Sequence, residues 1–458
     1  MIDLNSSLNA PVAGVPMVKQ AQEIVVNKNQ SVRNESETNL LSAAYQDTVI
    51  NKTKKVNVNV GGINLKNYSE VGKNAVNDIQ ARAGKKGQFL NWIGILPENQ
   101  IKNLDSIYAM ADEAKQGGFT DIAVLGIGGS RHTNEAMIKM LGKNAHVHFY
   151  SGIDPESFKR FANSLDLNKT KFLVVSKSGG TLETTVAYQS AKKLLQEKLG
   201  KENVSDRFIA MTDQSAEKSK LRKIVENGDI KWSGLVHDDV GGRFSIFDDA
   251  TIFTLAYTGV SKEDTKKMLE ASLAAQKEFL NTDINKNEAL KLAAFNTNAK
   301  MNGKKTHFVE YFGDAFAGAT LWEKQMKNES LKSQILTDTN IGPGYLHYNA
   351  ESDLDPANKD SFFTFVYVKT DDKATNALMN GAMTAYKAQH PVNEIVLKDL
   401  SPESIARFIE LKHFETIYTG NMLGQKAGRN IDLDQPLPEV IQPNVEIYKK
   451  EVKNLLSL

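Results

Sequence analysis

Short, uninterrupted apolar runs recur along this chain, separated by stretches of helical periodicity. The clearest is residues 121–126, Asp-Ile-Ala-Val-Leu-Gly. It lacks the polar alternation of a half-exposed strand, so both of its faces are expected to be buried. Further strands are expected at 146–150, 171–176 and 207–212, and helices at 133–141, 155–163, 182–199 and 216–226. Two helices precede them, at 68–84 and 98–116. The second places Ile101, Leu104, Ile107, Tyr108 and Ala111 on one face. Strands alternating with helices in this way specify a parallel sheet covered on both faces.

The alternation then repeats. Helices are expected at 248–258, 262–280 and 288–302, and strands at 306–311, 334–337, 362–368 and 394–398. Further helices are expected at 318–327, 372–388 and 402–424. The fold class is therefore α/β, with two doubly wound parallel-sheet domains over residues 61–250 and 251–440 and a C-terminal helix in 441–458. Residues 1–60 stand apart. They are rich in Asn, Ser, Val and Lys and hold a single aromatic, Tyr45. They are expected to form a mobile extension with a helix near 37–50.

Composition removes several function classes. Against 56 basic residues stand 55 acidic ones, a formal charge of +1, so no global field draws nucleic acid or an anionic membrane. The absence of cysteine excludes thiolate catalysis, disulfides and Cys-ligated metals. No apolar run approaches the roughly 20 residues of a membrane span. Met1–Asn5 shows neither the basic nor the apolar region of a secretory signal. The expected location is cytoplasmic, with neither nucleic acid nor membrane as partner.

Three segments carry chemistry. Gly126-Ile127-Gly128-Gly129-Ser130 joins a strand to a helix. Its glycines allow close backbone approach to an anion at the helix N-terminus. Arg131 stands where a dinucleotide fingerprint needs its third glycine. A tight turn without a ligand would use the same residues. Ser176-Lys177-Ser178-Gly179-Gly180-Thr181 again links strand to helix. Helix capping needs one hydroxyl, whereas several hydroxyls with a lysine make a phosphate cradle. It is not a Walker A loop. Val240-Gly241-Gly242-Arg243-Phe244-Ser245 projects an arginine from a glycine turn. That arginine either stabilises a developing oxyanion or pairs with Asp238 or Asp239. His146 and His148 alternate on one expected strand without evident carboxylate partners and read as structural.

Together these segments resemble the glucose-6-phosphate isomerase family, of the sugar-isomerase (SIS) fold group. The resemblance starts upstream at Phe89-Leu90-Asn91-Trp92-Ile93. It runs through Leu321-Trp322-Glu323-Lys324-Gln325-Met326-Lys327-Asn328-Glu329-Ser330 to Gln442-Pro443-Asn444-Val445-Glu446-Ile447-Tyr448-Lys449-Lys450, with the motifs in the family's order. Residues 1–60 lie outside it. The chain departs from the family at Arg131-His132-Thr133, where Leu-Gly is usual, at Leu331-Lys332-Ser333 and at Asn444. It carries an additional segment at 428–438.

The resemblance implies two SIS-type sandwich domains and interconversion of glucose 6-phosphate and fructose 6-phosphate through a cis-enediol, in glycolysis and gluconeogenesis. Glu329 matches the base that moves a proton between carbons 2 and 1. Desolvation near Trp322 would raise its basicity. Arg243 matches the arginine that stabilises the enediolate, and Lys449 the lysine of ring opening. His347, in Gly344-Tyr345-Leu346-His347, is the candidate ring-opening histidine. In the family it comes from the neighbouring subunit, so a homodimer with a shared active site is implied. Phosphate contacts map to Ser130, Ser176, Lys177, Ser178 and Thr181, with backbone contacts at Gly128 and Gly129. No metal or organic cofactor is implied. Two other readings stay open: a non-catalytic sugar-phosphate-binding regulator of the same fold, and an isomerase that also accepts mannose 6-phosphate.

Overall fold

The computed structural model describes residues 54–143 and 145–456, so the helix expected near 37–50 lies outside the described residues. Strand β1 (Val56–Val60) comes first, followed by helices α1 (Ser69–Arg82) and α2 (Ile95–Lys115). Strands β2 (Asp121–Leu125), β3 (Val147–Tyr150), β4 (Thr170–Val175), β5 (Phe208–Thr212) and β6 (Trp232–Leu235) then alternate with helices. These are α3 (Gly129–Met140), α4 (Pro155–Asn163), α5 (Leu182–Leu199) and α6 (Lys220–Glu226). Helices α7 (Asp249–Tyr257), α8 (Lys262–Phe279) and α9 (Glu288–Met301) lead to the second set of strands. That set is β7 (Thr306–Phe312), β8 (Leu336–Gly342), β9 (Ser361–Val368) and β10 (Val392–Leu397). It is interleaved with α10 (Ala317–Leu331), α11 (Asn349–Asp353) and α12 (Lys373–Lys387), and followed by α13 (Pro402–Lys426) and α14 (Val445–Leu456).

The first sheet has the order β3-β2-β4-β5-β6 and is parallel throughout. From β2 the chain moves to β3 on one side and then crosses to β4 on the other. Connections that leave β2 and β4 therefore part company, opening a crevice at the carboxyl ends of these two strands. Both glycine-rich segments sit there. The second sheet has the order β1-β10-β9-β7-β8.

Within that sheet β1 pairs antiparallel with β10, Val56 opposite Leu397 and Val60 opposite Asn393. Residues 56–60 thus belong to the sheet and not to the N-terminal extension in which the sequence reading placed them. Their Val-Asn alternation is the period-two pattern of an edge strand with one buried face. Two further strands depart from expectation. β6 escapes because Ser233 and Gly234 interrupt its apolar run. A Cβ on Gly234 would lie 2.6 Å from Met211 Sδ, so packing demands glycine there. β8 spans 336–342 where 334–337 was expected, since Asp338 and Asn340 on this outer strand break the apolar pattern.

The largest apolar core takes side chains from both sheets, including Val124, Val175 and Ile209 from the first and Val309, Val366 and Ile395 from the second. Helix α13 is buried continuously from Ser404 to Gly424, and its charges are matched internally. Lys412 lies 2.7 Å from both Glu323 and Glu415. Lys327 lies 2.5 Å from Glu415 and 3.3 Å from Glu323, and all four side chains are fully buried. The Tyr311 hydroxyl donates to Glu323. This ionic cluster anchors α10, the helix that carries Glu329. Among the described residues, no helix is long and apolar enough to cross a membrane.

Candidate active site

Glu329 lies in the last turn of α10, and Arg243 in a short 3-10 turn, Gly242–Phe244, that follows β6. The guanidinium is 2% exposed and donates in three directions. Nη1 reaches Glu329 Oε2 at 3.0 Å, Nε reaches Ser330 Oγ at 2.9 Å, and Nη2 reaches the Glu439 carbonyl at 2.6 Å. Burial disfavours the charge of Arg243, and Glu329 offsets part of that penalty. An arginine stays cationic in such a setting because its intrinsic pKa lies so high. The Arg243 partner is therefore Glu329. Asp238 pairs instead with Lys177 and Lys218.

The turn that holds Arg243 is seated on the first glycine segment. A Cβ on Gly129 would fall 2.2 Å from the Gly242 oxygen and 2.9 Å from the Arg243 nitrogen. Only a residue without a side chain allows the two backbones to meet. From below, Trp322 Nε1 donates to the Arg243 carbonyl at 3.1 Å. Trp322 thus supports the arginine backbone. Glu439 follows the additional segment 428–438, which is itself fastened: Arg82 donates to the carbonyls of Asp432 and Gln435, and Arg429 to the Glu439 carboxylate at 2.6 Å. A segment that reads as an insertion thereby positions an acceptor for Arg243.

Ser130 lies in the first turn of α3, whose N-cap, Gly128, has φ +60° and leaves the helix without a side-chain cap. Residues 176–181 connect β4 to α5. There Ser176 Oγ accepts from the Gly179 amide at 3.1 Å, and Ser178 Oγ from the Gly180 amide at 3.2 Å. Gly179 has φ +62° and packs so tightly that a Cβ would lie 2.2 Å from the Leu221 nitrogen. Thr181 is the N-cap of α5 but makes no side-chain cap bond, so its hydroxyl is not spent on the helix. Lys177 Nζ donates to the His237 carbonyl at 3.2 Å and faces Asp238 at 3.4 Å. Two helix N-termini and an ammonium thus converge on the crevice between β2 and β4, an arrangement suited to a dianion.

Two other expected residues lie on elements separate from α10 and the Gly242–Phe244 turn. His347 ends a 3-10 turn after β8 and lines an open cleft of about 550 Å³ with Glu351 and Asp355. Lys449 lies on α14, a helix with no buried residue, and donates to Glu446 at 2.9 Å. Neither is among the hydrogen-bond partners of Glu329 or Arg243 within the described chain.

The structure also adds residues. Gln325 Nε2 donates to Glu329 Oε1 at 2.8 Å, and His132 Nδ1 meets Gln325 Oε1 at 2.9 Å. Gln325 precedes Glu329 by one helical turn, a spacing that was visible in the sequence. His132 carried no signal beyond its departure from the family pattern. Asp121, unmarked by any motif, lies between His146 and His148 at 3.4 and 3.3 Å. His237, Asp248 and Asp249 cluster closely enough to suggest a metal. Their donor atoms are already engaged, however: His237 Nδ1 with Asp248 at 2.5 Å, Asp249 with Gln100 at 2.7 Å and with the Leu235 amide at 2.8 Å.

Comparison with known proteins places this geometry. The family model for phosphoglucose isomerase matches residues 100–342. A glucose-6-phosphate isomerase of Clostridium novyi is 26% identical over 420 residues, covering 83% of this chain and 89% of that protein. One from Leptospira biflexa is also 26% identical, over 82% of this chain and 88% of its own length. A hypothetical protein of Thermus thermophilus superposes with a TM-score of 0.75 at 20% identity, over 86% of this chain and 96% of that one. The structure of a glucose-6-phosphate isomerase from Chlamydia trachomatis gives 0.67 at 17% identity, over 84% and 78%. Its two-sheet α/β architecture is that of the SIS-type phosphosugar isomerases, and by the match across more than half its length the chain belongs to the phosphoglucose isomerase family.

Proposed function

We propose that this chain is an aldose–ketose isomerase that interconverts glucose 6-phosphate and fructose 6-phosphate. The observation that carries the reading is the pairing of Glu329 with a triply anchored Arg243, beside two helix N-termini fit for phosphate. Ser130, Ser176, Lys177, Ser178 and Thr181 take the phosphate, which competes with Asp238 for Lys177. Gly128 and Gly129 bring backbone close to it.

In the open-chain aldose, a Glu329 oxygen takes the proton from carbon 2. The C–H electrons form the carbon 1–carbon 2 double bond, and the carbonyl oxygen gains negative charge beside Arg243. A proton then passes from the carbon 2 hydroxyl to the carbon 1 oxygen, the same carboxyl returns its proton to carbon 1 as the carbon–carbon double bond opens, and the oxygen on carbon 2 becomes the carbonyl of the ketose. Each carboxylate oxygen has two lone pairs, so bonds from Gln325 and Arg243 leave one free for this proton. The gain from Arg243 is large because its charge meets the oxyanion in a site shielded from water. Ring opening is assigned to Lys449 and to His347 of a second subunit. This assignment makes the enzyme a homodimer, and within the described chain His347 is not among the hydrogen-bond partners of its own Glu329. The half 61–250 contributes the first sheet and 251–440 four of the five strands of the second, with β1 from residues 56–60 as the fifth. No cofactor is required, and the setting is glycolysis and gluconeogenesis in the cytoplasm.

A coupled assay with glucose 6-phosphate, fructose 6-phosphate and mannose 6-phosphate, with and without a strong chelator, tests the reading. Turnover of the first two that survives the chelator supports it. Binding of all three without turnover favours a regulatory sugar-phosphate binder, and a metal requirement contradicts the scheme. Turnover of mannose 6-phosphate marks the wider specificity.

A further inference from the structure

We infer that His132 is a positioning residue for the base, acting through Gln325; the inference rests on Glu329 being that base. Three groups stand in a line across the facing helices α3 and α10. His132 Nδ1 lies 2.9 Å from Gln325 Oε1, and Gln325 Nε2 lies 2.8 Å from Glu329 Oε1. A primary amide has two unlike ends. With Oε1 held by His132, the NH2 end faces the carboxylate and donates to it. With the amide reversed, its oxygen would face a carboxylate oxygen, and the two would repel.

The imidazole fixes the direction only if Nδ1 carries the proton. Burial holds this ring below its ordinary pKa, so the neutral form prevails near pH 7, and the Nδ1–H tautomer supplies the donor. The neighbouring Arg131 is committed elsewhere, to Glu135 at 2.9 Å and Ser151 at 2.8 Å. Gly128 completes the seat. A Cβ there would lie 3.0 Å from Gln325 Nε2, so the amide rests against bare backbone with little room to swing. A bond to one carboxylate oxygen holds Glu329 in the orientation that its proton shuttle between adjacent carbons requires. An apolar side chain at 132 would remove the partner that fixes which end of the amide faces Glu329.

The test uses the full chain and measures kcat, KM and melting midpoint together. His132→Leu is expected to lower kcat by about tenfold with KM within about twofold of wild type. His132→Asn, whose Nδ2–H can replace Nδ1–H, is expected to recover most of that loss. Combined with Gln325→Leu, the His132→Leu change is expected to add nothing to the effect of Gln325→Leu alone. His132→Ala provides a second apolar variant should the leucine fail to fold, and must show the same kcat loss. Wild-type kcat in the folded apolar variant overturns the inference. So does an equal loss in the asparagine variant, or a rise in KM alone. Failure of the underlying reading shows separately, as a Glu329→Gln chain that turns over like wild type.

Discussion

Gly129→Ala puts the coupling between the two glycine motifs to a quantitative test. The new methyl carbon would stand 2.2 Å from the Gly242 oxygen, 2.3 Å from its carbonyl carbon and 2.9 Å from the Arg243 nitrogen. Nonbonded contacts of this kind do not close below about 3 Å, so one backbone must retreat by about 0.8 Å. No flexible side chain is available to absorb the movement, because the atoms met are those of a peptide. Arg243 hangs from that peptide. Its three bonds, at 2.6 to 3.0 Å, cannot all survive such a shift. Overpacking of this size costs about 1–3 kcal/mol of stability. Displacing a charge-stabilising group by close to 1 Å costs about 100-fold in rate. The expected result is a folded chain with a lowered melting midpoint, a kcat reduced by about two orders of magnitude and a smaller change in KM. A variant within about twofold of wild-type kcat would refute the link between this contact and Arg243, whatever its stability.

Two further predictions concern the frame around the site. Lys327→Met removes one of the two ammonium groups that Glu323 and Glu415 share in a fully buried cluster. The orphaned charge is expected to cost about 3–5 kcal/mol, read from the denaturant midpoint at constant slope; a loss below about 1 kcal/mol would show that the cluster is not a support. For His237, burial alone disfavours the charged ring, but Asp248 and Asp249 outweigh it and raise its pKa. A group raised on folding stabilises fully below its unfolded pKa of about 6.5 and ceases to do so as pH rises through the folded value. His237→Gln is therefore expected to lower the melting temperature more near about pH 5.5 than near about pH 9, and a deficit that grows with pH contradicts the assignment.

The parallel strands of both sheets were legible wherever burial on two faces produced an unbroken apolar run, as in Asp121–Leu125 and Ser361–Val368. Of the four edge strands β3 was legible at 146–150, and the other three were not read or were misplaced. β1 alternates Val with Asn, β6 contains Gly234, and β8 carries Asp338 and Asn340, because an edge needs burial on one face or less. Within the site, Arg243 and the two glycine turns could be read because their residue types are unusual at strand-to-helix junctions. What Arg243 pairs with could not be read, since Glu329 lies 86 residues away and is joined to it only through the packing of α10 against the Gly242–Phe244 turn. The Glu439 carbonyl was invisible for a different reason: a backbone acceptor has no residue type to signal it. His132 and Gln325 meet across two helices, and one-dimensional spacing cannot reveal such a pair.

The central claim is that the carboxylate of Glu329 moves the proton. Glu329→Gln keeps a hydrogen-bonding group of the same size beside Arg243 and removes the basic lone pair. Steady-state isomerisation of fructose 6-phosphate, measured beside equilibrium binding of the same sugar phosphate, decides the matter. The account predicts a rate lower by several orders of magnitude, of the order of 10³-fold or more, with affinity within a few-fold of wild type. A Glu329→Gln chain that turns over within tenfold of wild type would place the base elsewhere and contradict the account.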